Sequence, residues 1–327
     1  VSNASEIGCT SASAIREVDI AALGPVAFNE SRLASRVRFH QAWYRAAVLH
    51  IDSFGSTRTT TGDIPRGSIL PDFAAATGMN FTSEQARAVY LQRRSRGWGL
   101  DPVRCTAYLT SSQALTLNLF GPLLTDHRWF ARVLTQVLSV RIIEVLEAHL
   151  EHAPARPSQA LGDRTMLDLW LLLRRSDGKT LSVAFEVKYS DRFNSRHLPV
   201  WANPKYLELA TRRPHPTWDW DNPITRSRTV NQLLRCHALT MLFGEAAAAT
   251  TEHLLVIHHP ADTDAPIVTR EYASTVPHDP VAHLDLTAFL DAMRSTSDGS
   301  DQEDHVEQLR MRYVAHELSD PLWNERQ

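Results

Sequence analysis

The sequence predicts an α/β fold with a helical N-terminal extension, and three observations carry that prediction. Two apolar-rich runs, "TMLDLWLLLRR" and "KTLSVAFEVKY", flank Ser176-Asp177-Gly178, a strong hairpin signal. An amphipathic segment at 227–245 is followed by a strand-like run, "TEHLLVIHHP", at 251–260. Helical spacing recurs ahead of the hairpin, at 29–50, 83–95 and 111–138.

Taken in order, residues 1–20 are polar. Between Asn29 and His50, Val37, Trp43, Ala47 and Leu49 recur near a helical period. Residues 51–80 are rich in Gly, Thr, Ser and Pro and read as loop. Ser83 is a candidate N-cap for the helix at 83–95. We expect residues 1–105 to form a mostly helical region packed on a domain spanning 106–327, with no linker marking the boundary. The segment 111–138 reads as helix interrupted near Gly121-Pro122. Residues 141–154 are ambiguous: they continue as helix, or form a strand with Val145, Glu147, His149 and Glu151 on one side. After the hairpin, 192–228 is rich in Pro, Trp and Arg and too long for an idle connector. "LTAFLDAMRS" and "DHVEQLRMRYVAHELS" read as C-terminal helices, with 295–304 a solvated loop between them.

Composition narrows the functional classes. The 327 residues are 43% hydrophobic and 22% charged, ordinary for a soluble globular chain with a sizeable core. No apolar run reaches the roughly 18 residues of a membrane span, so no membrane partner is expected. The N-terminus lacks a basic start followed by an apolar block, so no secretory leader is expected. Cys9, Cys105 and Cys236 form no CxxC pair, and a reducing cytoplasm is the expected compartment. His253, His258 and His259, with Cys236 and His237, match no ligand spacing and read as structural. Ser111-Ser112 lie in no nucleophile elbow, and no Walker loop is present. The net charge of −3 leaves nucleic acid open as a partner, because phosphate contacts need only a local basic surface.

The hairpin holds the main candidates. With its turn centred on Asp177, residue i lies opposite residue 354 − i, which sets Asp168 across from Glu186. Leu167, Leu169, Leu171 and Leu173 then share an apolar face with Leu181, Val183, Phe185 and Val187. The other face carries Asp168, Trp170 and Leu172 with Ala184, Glu186 and Lys188. Glu186 and Lys188 alone would suit an ordinary solvated ion pair. Asp168 opposite them changes the balance, because facing carboxylates repel and a divalent cation would relieve them. Mg²⁺ or Mn²⁺ suits such hard oxygens, and a lysine two residues on can orient or deprotonate a water. That is equipment for hydrolysing a phosphodiester.

"TMLD" followed by "EVK" resembles the PD-(D/E)XK, or restriction-endonuclease-like, nuclease superfamily. The blocks "YLTSSQALTLNLFGPL", "DRTMLDLWLLL", "FEVKYSD" and "NQLLRCHALTM" are similar to a bacterial family of restriction endonucleases with this fold. "RFHQAWYRAAVL" and "RMRYVAH" extend the likeness over roughly residues 35–315. The resemblance implies an αβββαβ core with a central mixed sheet flanked by helices. It implies that Asp168 and Glu186, helped by the Val187 carbonyl, hold the metal, with Glu151 as a further ligand. Lys188 would position the water, and Gln232 would support the site. The superfamily's leading Pro is missing, since Met166-Leu167 precede Asp168. Asp163 is a rival acid, read here as a loop carboxylate.

Arg192, Arg196, Lys205, Arg226 and Arg228, interleaved with Trp201, Trp218 and Trp220, suit phosphate contacts and base stacking. Arg93, Arg94 and Arg96 read as a helix end. The expected activity is Mg²⁺-dependent cleavage of nucleic acid, DNA before RNA, in bacterial defence. A catalytically idle binding module of the same fold and an RNA nuclease are the alternatives. Self-association as a homodimer is left open.

Overall fold

The computed structural model describes residues 15–25, 30–193, 197–213 and 215–326. Cys9 and Arg196 lie outside the described residues. Helix α1 (Arg32–Trp43) is capped by Ser31, whose hydroxyl accepts from the Ala34 amide, and it runs on into a π turn at Tyr44–Val48. A small hairpin follows, β1 (Ser56–Thr59) and β2 (Gly62–Pro65), and then α2 (Asp72–Thr77). The loop expected over 51–80 therefore contains regular structure. Both strands are largely exposed and carry no apolar alternation, so periodicity gives no sign of them. Next come α3 (Glu84–Ser95), with Ser83 as its cap, and α4 (Pro102–Ala107).

Helix α5 (Ser112–Thr125) and α6 (His127–Leu138) meet at Asp126, not at Gly121-Pro122. Proline inside a helix leaves the carbonyl four residues back without its amide partner. Here that carbonyl, on Asn118, accepts from the His305 ring at 3.2 Å, so the helix continues. Gly121 is set by packing: a Cβ there would stand 2.5 Å from the Ala86 Cα of α3. Asp126 then caps α6 through the amides of Arg128 and Trp129.

The ambiguous stretch is a strand, β3 (Ile142–His152). Register shifts between Ile142 and Glu144 and between Val145 and Glu147 break its period of two. They also put Val145 opposite Leu173 and Glu147 opposite Leu172, so Val145 does not share a face with Glu147 and His149. Strands β4 (Leu167–Arg175) and β5 (Thr180–Lys188) form the hairpin. Their pairing runs from Arg174↔Thr180 to Leu169↔Phe185, each pair summing to 354 as the turn position requires. Short α7 (Pro204–Ala210) is followed by α8 (Asn231–Ala246) and β6 (Thr251–His258). Helix α9 (Asp264–Ser274) and strand β7 (Val281–Asp285) have no counterpart in the sequence expectation. Helices α10 (Leu286–Ser295), α11 (Ser300–Tyr313) and α12 (Asp320–Arg326) complete the chain, with α11 starting inside the expected 295–304 loop.

The sheet order is β3-β4-β5-β6-β7, antiparallel through β5 and parallel from β5 to β7. Its apolar hairpin face packs on α5, α6, α10 and α11 through Phe120, Phe130, Phe289 and Leu309. Val37, Tyr90 and Leu100 from the N-terminal region join the same core. The other face is not solvated: Trp170, Leu172 and Ala184 pack beneath Leu233 and Leu234 of α8 and Tyr206 of α7. The charged end of that face is therefore enclosed. Phe185 is fully buried, with ring centroids 5.3 Å from Phe120 and 6.4 Å from Phe289. Phe185→Ala is expected to cost about 3–5 kcal/mol in a urea titration, the usual price of an aromatic-sized cavity.

Candidate active site

Three acids come level on three neighbouring strands. Extending the β3–β4 register between Leu150↔Leu169 and His152↔Leu167 puts Glu151 beside Asp168. Extending the hairpin register by one residue puts Asp168 beside Glu186. The hairpin ladder stops at Leu169↔Phe185. Val187, whose amide would next face Leu167, instead donates to Asp168 Oδ2 at 2.7 Å. The strands thus part where the Asp168 side chain replaces a main-chain acceptor.

Glu186 is 3% and Lys188 7% exposed, too little for a solvated surface pair. The Lys188 ammonium lies 2.8 Å from Glu186 Oε1 and donates to Gln232 Oε1 at 3.2 Å. The Gln232 amide donates to the same Glu186 oxygen at 2.6 Å. Cys236, one helical turn along α8, directs its thiol to Glu186 Oε2 at 3.4 Å. Burial, then Glu186 and Asp168, push that thiol well above its usual range, so it is a neutral donor. Phe193 covers the ammonium, its ring centroid 5.0 Å from Nζ.

Burial by itself would lower the Lys188 pKa, but Glu186 and Asp168 outweigh it and raise the pKa. Lys188 is therefore a cation and donor at neutral pH rather than a base. Burial, Glu186 and Glu151 raise the Asp168 carboxyl well above the carboxylate range. Glu151 is pushed up to about 8 by burial and by Glu186, against its bond from Gln113 and the charge of Arg93.

These shifts describe hard oxygen donors whose charges oppose one another. Asp168 and Glu186 with the Val187 carbonyl fit Mg²⁺ or Mn²⁺, which take carboxylate and carbonyl oxygens and keep several waters. Among the described residues no three Asp, Glu, His or Cys side chains converge closely enough to hold an ion alone. Glu151 accepts from Gln113 Nε2 at 2.9 Å, so a cation here would rest on Asp168 and Glu186 with a main-chain oxygen. Asp163 is engaged elsewhere, accepting from the Tyr206 hydroxyl at 2.6 Å and from Arg235 at 3.3 Å.

Sequence reasoning missed the frame around Glu151. Gln113 Nε2 also donates to the Gly99 carbonyl at 3.0 Å, and Gln113 Oε1 accepts from the Asp101 amide at 3.1 Å. Arg93 donates to the carbonyls of Leu150 at 2.9 Å and Glu151 at 2.8 Å, so it is more than a helix end. Glu151 has a left-handed backbone, φ 48°, which these bonds hold. The "SSQAL" block carries Gln113, so its signal lay in the sequence without a role attached. Its neighbour Ser112 donates to Asp191 and accepts from the Tyr189 amide, joining α5 to the end of β5.

The basic segment after β5 divides. Arg192 and Arg228 are exposed, Lys205 donates to the Ser158 carbonyl, and Arg226 pairs with Asp221 at 3.1 Å. Trp218 is core: it is 1% exposed and donates to the Tyr272 hydroxyl at 2.9 Å. Trp201 and Trp220 are partly buried against the α8 side of the sheet. Base stacking by Trp218 is therefore closed off. Past Phe193 a cavity of about 850 Å³ opens at the C-terminal ends of β5 and β6, lined by Arg36, Asp191, Arg192, Asp262 and Trp323. Crevices at that end of parallel strands are the usual ligand sites of α/β sheets.

The fold and the site together define a restriction-endonuclease-like protein: a five-stranded mixed sheet between helices, with two acids and a lysine where its central hairpin opens. The sequence matches the profile of the PD-(D/E)XK nuclease superfamily over residues 29–315, and the chain belongs to that superfamily. Neither a curated protein nor a solved structure matches it. Nucleases of this superfamily generally use divalent metal ions and act on nucleic acid. No helix among the described residues is long and apolar enough to cross a membrane.

Proposed function

We propose that this chain is a Mg²⁺- or Mn²⁺-dependent endonuclease that cuts DNA in bacterial defence. The observation that carries the reading is the enclosed set of Glu186, Lys188 and Gln232, joined by bonds of 2.6–3.2 Å, with Asp168 held beside it by the Val187 amide at 2.7 Å. Beside it, in the extended hairpin register, burial and the charges of Glu186 and Glu151 raise the Asp168 carboxyl, the kind of perturbed acid that gathers at functional sites. Asp168, Glu186 and the Val187 carbonyl would hold the cation. When bound, that ion would polarise the scissile phosphate and make water a stronger nucleophile.

The chain's own groups do the rest. Lys188, kept protonated, donates to the attacking water or to a phosphate oxygen and offsets the negative charge gathering on the phosphoryl oxygens. Gln232 holds both Lys188 and Glu186, which fixes the direction of the ammonium. Phe193 and the α8 side chains keep bulk water from this pair, which strengthens its field. The defence role rests on the likeness of the sequence blocks to restriction endonucleases. Supercoiled plasmid and a structured RNA, each incubated with Mg²⁺, Mn²⁺ or EDTA, test the reading. Nicking or linearisation of the plasmid with metal is expected, and none with EDTA. Cleavage of RNA alone would reassign the substrate, and metal-independent cleavage would overturn the mechanism.

A further inference from the structure

Trp98 is 52% exposed, yet the turn that carries it is fastened to Glu151, the acid level with Asp168 on the neighbouring strand. Arg93 Nη2 donates both to the Trp98 carbonyl at 3.0 Å and to the Glu151 carbonyl at 2.8 Å. Gln113 Nε2 donates both to the Gly99 carbonyl at 3.0 Å and to Glu151 Oε1 at 2.9 Å. Two single nitrogen atoms thus join the 98–99 backbone to Glu151. On either side, Gly97 and Gly99 take φ of 102° and 124°, which L side chains rarely adopt. A Cβ on Gly99 would also stand 2.5 Å from Arg93 Nη2, against the bridge itself. The turn is built, and what it exposes is an indole.

We propose that Trp98 is a stacking platform for an unpaired base of the nucleic-acid strand that enters the site. The proposal rests on the nuclease reading and adds the form of the substrate beside the scissile phosphate. Arg94 and Arg96 are exposed in the same stretch and have no acidic partner among the described residues. Guanidiniums for phosphates beside a free aromatic face are what a sequence-tolerant single-strand contact needs. The 192–228 segment meets that need less well. Its Trp218 is core, Arg212 pairs with Glu208 and Glu245, and Arg213 pairs with Glu252 and Asp279. Leu91 and Val103 are exposed near Trp98 in sequence, as a protein-docking face would have them. The flanking arginines and the bridges to Glu151 favour a phosphate-bearing strand.

The test measures binding of a short single-stranded oligonucleotide, and of the same sequence as a duplex, in EDTA by fluorescence anisotropy. Trp98→Ala is expected to weaken single-strand binding about tenfold, in the range of a lost base–aromatic stack. Duplex binding should change by no more than about twofold, since bases inside a duplex have both faces covered by their stacked neighbours. Trp98→Phe should recover most of the affinity, because stacking needs a ring rather than an indole N–H. Replacing Arg94 and Arg96 with Ala should flatten the salt dependence, which Trp98→Ala leaves unchanged. The proposal fails if Trp98→Ala binds the single strand as the wild type does. It also fails if the variant instead shifts the sedimentation coefficient, which would assign Trp98 to a protein contact. Plasmid cleavage by the wild type is read separately. Cleavage with Trp98-independent binding sinks the platform alone, and Trp98-dependent binding without cleavage sinks the nuclease reading alone.

Discussion

Lys188→Met is expected to lower plasmid cleavage by about 10³-fold, the scale on which losing one preorganised charge-stabilising donor acts. The variant should also be less stable, for a separable reason. Glu186 is 3% exposed and keeps Gln232 and Cys236 as donors, but it loses the ammonium 2.8 Å away. Breaking one side of a buried ion pair costs about 3–5 kcal/mol, because the remaining charge stays buried without its partner. Combining Glu186→Gln with Lys188→Met removes that uncompensated charge, so the double variant should regain most of the stability and none of the activity. Urea titrations and plasmid nicking read the two effects independently. A Lys188→Met protein that is folded and cuts at the wild-type rate would remove Lys188 from the chemistry.

That coupling of burial and chemistry is also what the sequence conveyed least. The hairpin was readable to the residue. Asp177-Gly178 fixed the turn, and uniform apolar odd positions fixed the register, so Asp168 met Glu186 by arithmetic. The enclosure of the even face was not readable. Glu186 and Lys188 look the same whether solvated or covered, and the cover comes from α8, some 44 residues on, through Gln232. Glu151 stayed ambiguous because two register shifts in β3 break the alternation that marks a strand. Strand β7 goes unread for a different reason: it has five residues and only partly buried or exposed positions, which leaves no periodic signal. Gly121-Pro122 misled because the rule that ends helices at proline assumes an orphaned carbonyl. His305, far along the chain, supplies the missing partner to Asn118. Local pattern identified the hairpin that carries Asp168 and Glu186. The side chains that hold Glu151 and Glu186, namely Gln113, Arg93 and Gln232, are polar residues on helices, and nothing local distinguishes them from solvated ones.

Asp168→Asn is expected to abolish cleavage and, in metal-free buffer at pH 8, to make the protein more stable than the wild type. The amide keeps an oxygen for the Val187 N–H, so the opening of the hairpin is preserved. What disappears is a carboxylate set between Glu151 and Glu186. Burial and those two neighbours hold the Asp168 pKa well above 3.8. Burial and Glu186 hold the Glu151 pKa at about 8. A carboxyl with a raised folded pKa binds its proton in the native state where the unfolded chain has released it. Metal-free wild type therefore loses stability as pH rises from the ordinary carboxylate range, 3.8 to 4.5, toward about 8. In EDTA its Tm should fall over that interval, and the Asp168→Asn curve should be flatter. The two should differ by on the order of 3 °C at pH 8 and by little at pH 5. Magnesium reverses the order. A divalent ion at about 100 times its Kd adds about 2.7 kcal/mol to a protein that binds it. It should add more at pH 8 than at pH 5, where protons must leave first. Wild type should gain this stabilisation and Asp168→Asn very little. Equal magnesium shifts in both proteins would show that the ion does not need Asp168, and the two-acid site would have to be abandoned even if the protein cuts DNA.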